Sequence, residues 1–316
     1  MAKDKSPVKL SAVERVKAAY AKNPAAKGVI SMGMEAKVYT ENDGIPLPPE
    51  HPFRELTGIP CLPFNKTIQF AGKPDTGKSS QGAVTVVAAQ VAGFKIVYWD
   101  TEEKFDPHRL LMLGGQPDLI HFVRTNNIRV GAQMVKELVI ALKEDEPDCK
   151  ILIVWDSVGG GLSRSNMQRN LADEKKSAQP GAEAKDNGEA IRHFVTLQNV
   201  YRDSICIYMA NQTYAKIGMF AKGDKAKGGD GVEFFSSYIV FTKRIKVLTK
   251  VENKQALKVG VITEAVVTKN HLTQGKTSVY KMRFQITAEG ITKSNFEFKN
   301  EKEASDADAE EEAREE

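Results

Sequence analysis

The octapeptide Gly72-Lys73-Pro74-Asp75-Thr76-Gly77-Lys78-Ser79 constrains this chain more than any other stretch. It fills every fixed position of the pattern G-x-x-x-x-G-K-[ST]. Before it, Thr67-Ile68-Gln69-Phe70-Ala71 alternates as a strand does; after it, Ser80 to Val91 is rich in Ala, Val and Gln and reads as a helix. A strand feeding a helix through this turn is the context the pattern requires. Its glycines let successive backbone N–H groups converge on an anion. The helix N-terminus adds partial positive charge. Lys78 is placed to neutralise the β- and γ-phosphates of a nucleotide, and the Ser79 hydroxyl to ligate Mg²⁺. With Ser80, the octapeptide is the expected phosphate cradle.

The chain has 316 residues, 41% of them apolar, which suits one large α/β domain with small appendages. No apolar run approaches the ~18 residues of a membrane span. The start, Met1-Ala2-Lys3-Asp4-Lys5, has no apolar core of a signal peptide. Cys61, Cys149 and Cys206 are an odd, scattered set, so a reducing cytoplasm is the expected setting. The net charge of +4 conceals an asymmetry: residues 300–316 carry nine acids against Lys302 and Arg314. A basic body with an acidic tail fits a polyanion partner with which the tail competes, and equally a tail that only keeps the chain soluble.

Ser11-Ala12-Val13-Glu14 is a capping box, and Val13, Val16, Ala19 and Tyr20 follow at helical spacing, which predicts a helix over 12–22. Residues 23–60 read as an irregular connector with short strands. Strand-like runs then fall at Lys95–Trp99, Leu119–Val123, Ile151–Trp155 and Ile205–Ala210, with helical patterns at Gly131 to Lys143 and Glu189 to Arg202. The alternation predicts a mostly parallel sheet flanked by helices. Val232–Val247, Gly260–Thr268 and Ser278–Ile286 are rich in β-branched and aromatic residues and predict an antiparallel extension. Residues 162–188 and 213–231 read as long polar loops. Three parts result: an N-terminal arm (1–34), an α/β core (35–292) and an acidic tail (293–316).

Ile151-Leu152-Ile153-Val154-Trp155-Asp156 is an apolar strand ending in a carboxylate, the expected partner of Ser79 on Mg²⁺. Lys95-Ile96-Val97-Tyr98-Trp99-Asp100 is a second such strand, followed by Thr101-Glu102-Glu103. Hydrolysis needs a group to orient water in line with the γ-phosphate, and spacing alone does not choose between Glu102 and Glu103. Asp106 suits an adenine amino group and equally a helix N-cap. Asn211-Gln212 ends a third strand; these amides read either as turn residues or as a γ-phosphate sensor that orders the following loop.

With these residues in order, the sequence resembles the RecA family of homologous-recombination ATPases over roughly residues 10–290, and within it the phage-type members. Trp99-Asp100-Thr101-Glu102-Glu103-Lys104-Phe105-Asp106-Pro107 is similar to the family's D-x-E-x-x-x-D-P segment. That resemblance selects Glu102 as the water-activating carboxylate and Asp106 as an adenine contact, with Arg109 where bacterial members stack a tyrosine. Asp156-Ser157 matches the second Walker motif, and Asn211-Gln212 the family's switch. Thr213 to Phe220 resembles the start of its second DNA loop, which Gly228-Gly229 closes. Val266-Val267-Thr268-Lys269-Asn270-His271 is similar to V-V-K-N-K, whose lysines reach the ATP of the next subunit; His271 replaces the second. The N-terminal helix and Lys27 to Met32 resemble the arm that docks on a neighbouring protomer.

The resemblance implies ATP and Mg²⁺ as cofactors, single- and double-stranded DNA and further copies of the chain as partners, and single-strand-binding or loader proteins beside them. Arg164, Arg169, Lys216, Lys222, Lys225 and Lys227 become expected phosphate contacts, with Gly228 and Gly229 shaping the loop. Met219 and Phe220 are expected either to stack between bases or to pack the loop. The region of the first DNA loop matches poorly, and the family's globular C-terminal domain has no counterpart after Ile291. Two other readings share the phosphate loop: a hexameric helicase-type motor, and a recombination mediator that binds ATP but hydrolyses little.

Overall fold

The computed structural model describes residues 12–19, 38–167, 181–215, 224–252, 254–273 and 281–297. The chain divides into two compact units, Met1–Val38 and Tyr39–Glu316. In the first, helix α1 spans Ala12–Ala19, with Glu14 in its first turn, where a carboxylate complements the helix dipole. Ser11 of the expected capping box and Lys27 to Met32 of the expected docking segment lie outside the described residues.

The second unit is built on one large sheet. Its central strands are β3 (Thr67–Gly72), β4 (Lys95–Asp100), β5 (Ile120–Arg124), β6 (Ile151–Asp156), β7 (Ile205–Ala215) and β9 (Tyr238–Glu252). They lie in the order β9-β3-β7-β6-β4-β5, all parallel. Beyond β9 the sheet continues antiparallel through β10 (Gln255–Asn270), β11 (Lys281–Thr287) and β12 (Gly290–Lys293). The expected fold class, a parallel α/β core with an antiparallel extension, is the one observed.

Both faces of β4, β6 and the first part of β7 are buried, so these strands read as continuous apolar runs rather than alternating ones. Ile96, Tyr98, Leu152, Val154, Cys206 and Tyr208 face one core with α3 (Lys78–Val91). Val97, Trp99, Ile153, Trp155, Ile207 and Met209 face the other, under α5 (Ile128–Asp145) and α6 (Ala182–Val200). There Trp99 and Trp155 stack with centroids 4.7 Å apart, and Phe194 meets both edge-on. Such pairs add about 0.5–1.5 kcal/mol each beyond their buried area.

Four expectations are corrected. Residues 23–60 are more ordered than a connector where described: β1 (Gly44–Pro46) pairs with β2 (Cys61–Pro63), and α2 (Pro52–Thr57) lies between them. Proline at the first helical position and Gly58 in the left-handed region delimit that helix. The strand expected from Val232 begins at Tyr238, because Asp230–Phe235 forms a short helix, α7. Residues 162–188 are not one loop: 164–167 turn helically and 182–188 open α6. Asp186 there is buried while accepting from Arg129 Nε at 2.8 Å. Finally, β7 continues past Gln212 to Ala215, and Thr213–Ala215 pairs with β8 (Asp224–Ala226) as an antiparallel ribbon.

Candidate active site

Parallel pairing sets Gly72 opposite Gln212, Asp156 opposite Ala210, and Asp100 opposite Asp156. The segments that follow β3, β4, β6 and β7 therefore emerge along one edge of the sheet, where open α/β sheets bind ligands. They enclose a cleft of about 360 Å³ lined by Lys78, Ser79, Glu102, Asp156, Ser157 and Gln212, with Asp106 and Arg109 at its margin.

The phosphate loop passes into α3 through Gly77, whose φ of 84° is costly for any other residue. A Cβ there would also lie 2.0 Å from Ile286 Cδ1. Thr76 is buried, accepting from Thr242 Oγ1 at 2.9 Å and, at its carbonyl, from Thr263 Oγ1 at 3.2 Å, so β9 and β10 brace the cradle. Asp75 pairs with Lys258 Nζ (2.7 Å) and Arg244 Nη1 (3.4 Å). Lys78 Nζ donates to the Lys73 carbonyl at 2.5 Å. Burial pushes its pKa down to about 8, against the pull of Asp156, Glu102 and Asp75. The ammonium is thus held in a partly desolvated position that an incoming polyphosphate would recharge.

Asp156 accepts from Tyr98 Oη at 2.9 Å and from the Ser79 hydroxyl. Burial raises its pKa, with Asp100 and Glu102 adding to the effect and the two hydrogen bonds opposing it. A buried carboxylate surrounded by like charge, beside a hydroxyl, is a site that favours a cation. One carboxylate and one hydroxyl are the hard oxygen donors that Mg²⁺ uses when nucleotide phosphates and water complete its shell. Ser79 and Asp156 fit that ion.

Asp100 is engaged by the backbone of the turn that follows it. It is 3% exposed, and its carboxylate accepts from the backbone N–H groups of Glu102 (3.3 Å), Lys104 (3.2 Å) and Phe105 (2.9 Å). It winds the 101–105 turn and aims Glu102 into the cleft, while Glu103, at φ 53°, is exposed. Glu102 Oε1 accepts from Gln212 Nε2 (2.6 Å) and Ser157 Oγ (2.5 Å), and Oε2 from Lys104 Nζ (2.8 Å). Burial raises the Glu102 pKa, but these three donors outweigh it and hold the carboxyl below its ordinary value. Thr101 ties this turn to the next strand by donating to the Ser157 carbonyl at 2.8 Å.

The remaining expected residues fall as follows. Asp106 caps α4 (Pro107–Met112), accepting from Arg109 N at 3.1 Å, and still faces the cleft. Arg109 Nη2 donates to the Thr287 carbonyl at 2.8 Å. Lys269 lies in a different cleft of about 430 Å³, where Nζ donates to the carbonyls of Glu233 (2.7 Å) and Phe234 (3.0 Å) at the end of α7. His271 N–H donates to the Ser237 carbonyl. Arg164 is exposed. Lys225 pairs with Asp230 at 2.6 Å. Lys227, read from sequence as a phosphate contact, donates to Gln212 Oε1 at 2.7 Å. Gly228 and Gly229 have φ of 96° and 80° at the entry to α7. Arg169, Lys216, Met219, Phe220 and Lys222 lie outside the described residues.

Sequence reasoning missed Tyr98, Lys104 and Ser157, which hold the two acidic groups, and Tyr208, whose Oη donates to the Lys78 carbonyl at 2.7 Å. Tyr98 and Tyr208 each stand on an apolar strand, where a tyrosine reads as core, and only strand order brings them to the cleft.

The family described as the RecA N-terminal domain matches residues 33–290. Among curated proteins, the chain is similar to Protein RecA of Ureaplasma parvum, 27% identical over 219 residues, 69% of this chain and 61% of that protein. Protein RecA of Streptomyces rimosus is 26% identical over 192 residues, 60% of this chain and 48% of that protein. The mitochondrial DNA repair protein recA homolog of Dictyostelium discoideum is 25% identical over 240 residues, 75% of this chain and 49% of that protein. The chain thus spans about half to three-fifths of the length of these relatives.

Proposed function

Because this chain belongs to the RecA family, we propose that it is a DNA-dependent ATPase that assembles as a filament on single-stranded DNA and promotes homologous pairing and strand exchange. The observation that carries this reading is the hydrogen-bonded line from Glu102 through Gln212 to Lys227. It joins the expected water-orienting carboxylate to the residue that follows the ribbon expected to meet DNA, so each end can report its state to the other.

The phosphate loop binds the nucleotide through backbone N–H groups and Lys78. Ser79 and Asp156 would hold Mg²⁺, which when bound would supply positive charge to the nucleotide phosphates. Glu102, kept ionised by its donors, orients the attacking water and accepts its proton. Gln212 lies within reach of both Glu102 and the space above Lys78, as a γ-phosphate sensor must. Asp106 and Arg109 stand at the margin of the cleft, where they would meet the base. Lys269, near the end of β10, and His271, just beyond it, are not among the residues lining their own chain's cleft, which suits action on the nucleotide of the next protomer. Arg164 and Lys225, with Arg169, Lys216 and Lys222, would contact DNA phosphates, and Met219 and Phe220 its bases. The partners are then single- and double-stranded DNA, further copies of the chain and the proteins that load it. Such binding weakens steeply with salt, because each neutralised phosphate releases counterion.

The test is ATP turnover with and without single-stranded DNA. DNA stimulates the wild type, Lys78→Ala abolishes turnover, and Glu102→Gln lowers kcat by roughly 10²–10⁴-fold, as loss of a positioned base does. Glu103→Gln stays near wild type. Undiminished turnover in Lys78→Ala, or inactivation by Glu103→Gln alone, overturns the assignment.

A further inference from the structure

An amide side chain presents an oxygen acceptor on one side and a two-hydrogen donor on the other, and only its partners decide which faces where. Gln212 has partners that leave one choice. On one side lies Glu102 Oε1, an ionised acceptor, 2.6 Å from Nε2. On the other lies the Lys227 ammonium, which can only donate, 2.7 Å from Oε1. Turning the amide over would set oxygen against carboxylate and NH₂ against ammonium.

We propose that Lys227 is a positioning residue: its ammonium fixes the direction of the Gln212 amide, so that the donor end is presented to Glu102 and to the nucleotide side of the cleft.

Lys227 is built for this role rather than placed there by chance. Its backbone N–H donates to the Gln212 carbonyl at 2.8 Å, and its carbonyl accepts from Asn211 Nδ2 at 2.7 Å. Three bonds thus tie it to the Asn211-Gln212 pair. Its aliphatic stem crosses Gly159, where a Cβ would sit 2.8 Å from Lys227 Cδ, so the close approach needs a glycine beneath it. Asn211 is 0% exposed, and the Lys227 carbonyl anchors its side-chain NH₂. Lys227 directly follows the described end of the ribbon, Asp224–Ala226, so displacement of the ribbon moves the ammonium and frees the amide.

The inference rests on the ATPase reading above and is tested beside it. Lys227→Met keeps the stem and removes the charge. At saturating single-stranded DNA its kcat falls at least roughly tenfold, the scale of one hydrogen bond to a charged group, with the KM for ATP within about twofold of wild type. Lys227→Arg, which retains the donor, restores most of the rate. Gln212→Ala combined with Lys227→Met is no slower than Gln212→Ala alone, because the two act as one unit. If Lys227 is instead a phosphate contact, Lys227→Met leaves kcat unchanged at saturating DNA and reduces the salt slope of DNA binding by about one, and the proposal fails. Losses that multiply in the double variant overturn it equally. Should the wild type hydrolyse no ATP, the functional reading fails while this one stays testable by proton exchange of the Gln212 side-chain amide. Faster exchange in Lys227→Met than in wild type supports it, and equal rates refute it.

Discussion

Asp100→Asn is a one-atom change with a worked consequence. The native carboxylate gathers three backbone N–H groups in a pocket where it is 3% exposed. Asn keeps one oxygen, enough for the pair of longer bonds from Glu102 and Lys104 at Oδ1. Its NH₂ then confronts the Phe105 N–H, which made the shortest bond, 2.9 Å, to Oδ2. One charge-assisted bond is lost and a buried donor is left without an acceptor, together about 2–4 kcal/mol. For a domain of this size that lowers Tm by roughly 3–7 °C. The 101–105 turn also loosens, so Glu102 spends less time aimed into the cleft and kcat falls with little change in ATP affinity. Asp100→Ala, which abandons all three N–H groups, melts lower still. Thermal melts and steady-state turnover on the three proteins decide the matter. Asp100→Asn melting within about 1 °C of wild type and turning over normally would refute the assignment of Asp100 as the organiser of this turn.

Two further outcomes follow from charge. Lys78 has a pKa of about 8 in the nucleotide-free protein, and bound polyphosphate raises it, so ATP binding at pH 8.5 takes up a proton at this site. Calorimetry in buffers of different ionisation enthalpy reads the uptake as roughly half a proton or more, and Lys78→Met abolishes it; buffer-independent heats in the wild type would contradict the site's electrostatics. Removing residues 300–316 strips nine acids and two bases, and tightens single-stranded DNA binding most at low salt, where like-charge competition is least screened. Unchanged affinity across a salt titration would leave the tail a solubilising segment.

What was legible in the sequence is what local pattern encodes. The phosphate loop carries its own context, and Asp100 and Asp156 end apolar runs long enough to fix two central strands. Helix α5 was foreseen over 131–143 because its apolar face repeats at helical spacing; its true start at Ile128 depends on the Asn127 cap. Val232–Phe235 reads as strand because Val, Phe and Phe favour strands, whereas the turn at Gly229 and the buried Val232 make it helical. The start of α6 was read as loop because Asp186 and Asn187 are polar; their burial follows from packing that no local pattern announces. The site divides the same way. Lys78, Ser79, Glu102 and Asp156 are found by spacing and resemblance. Ser157 as a partner of Glu102 depends on β6 lying beside β4, and Lys227 as a partner of Gln212 on β8 folding back onto β7.

The central claim is that ATP in this cleft drives assembly on DNA. Electron microscopy of the protein with single-stranded DNA and a slowly hydrolysed ATP analogue tests it most directly. Helical filaments that require both ligands and are lost in Lys78→Ala are the expected result. Closed hexameric rings, or isolated protomers under conditions where ATP and DNA both bind, would contradict it.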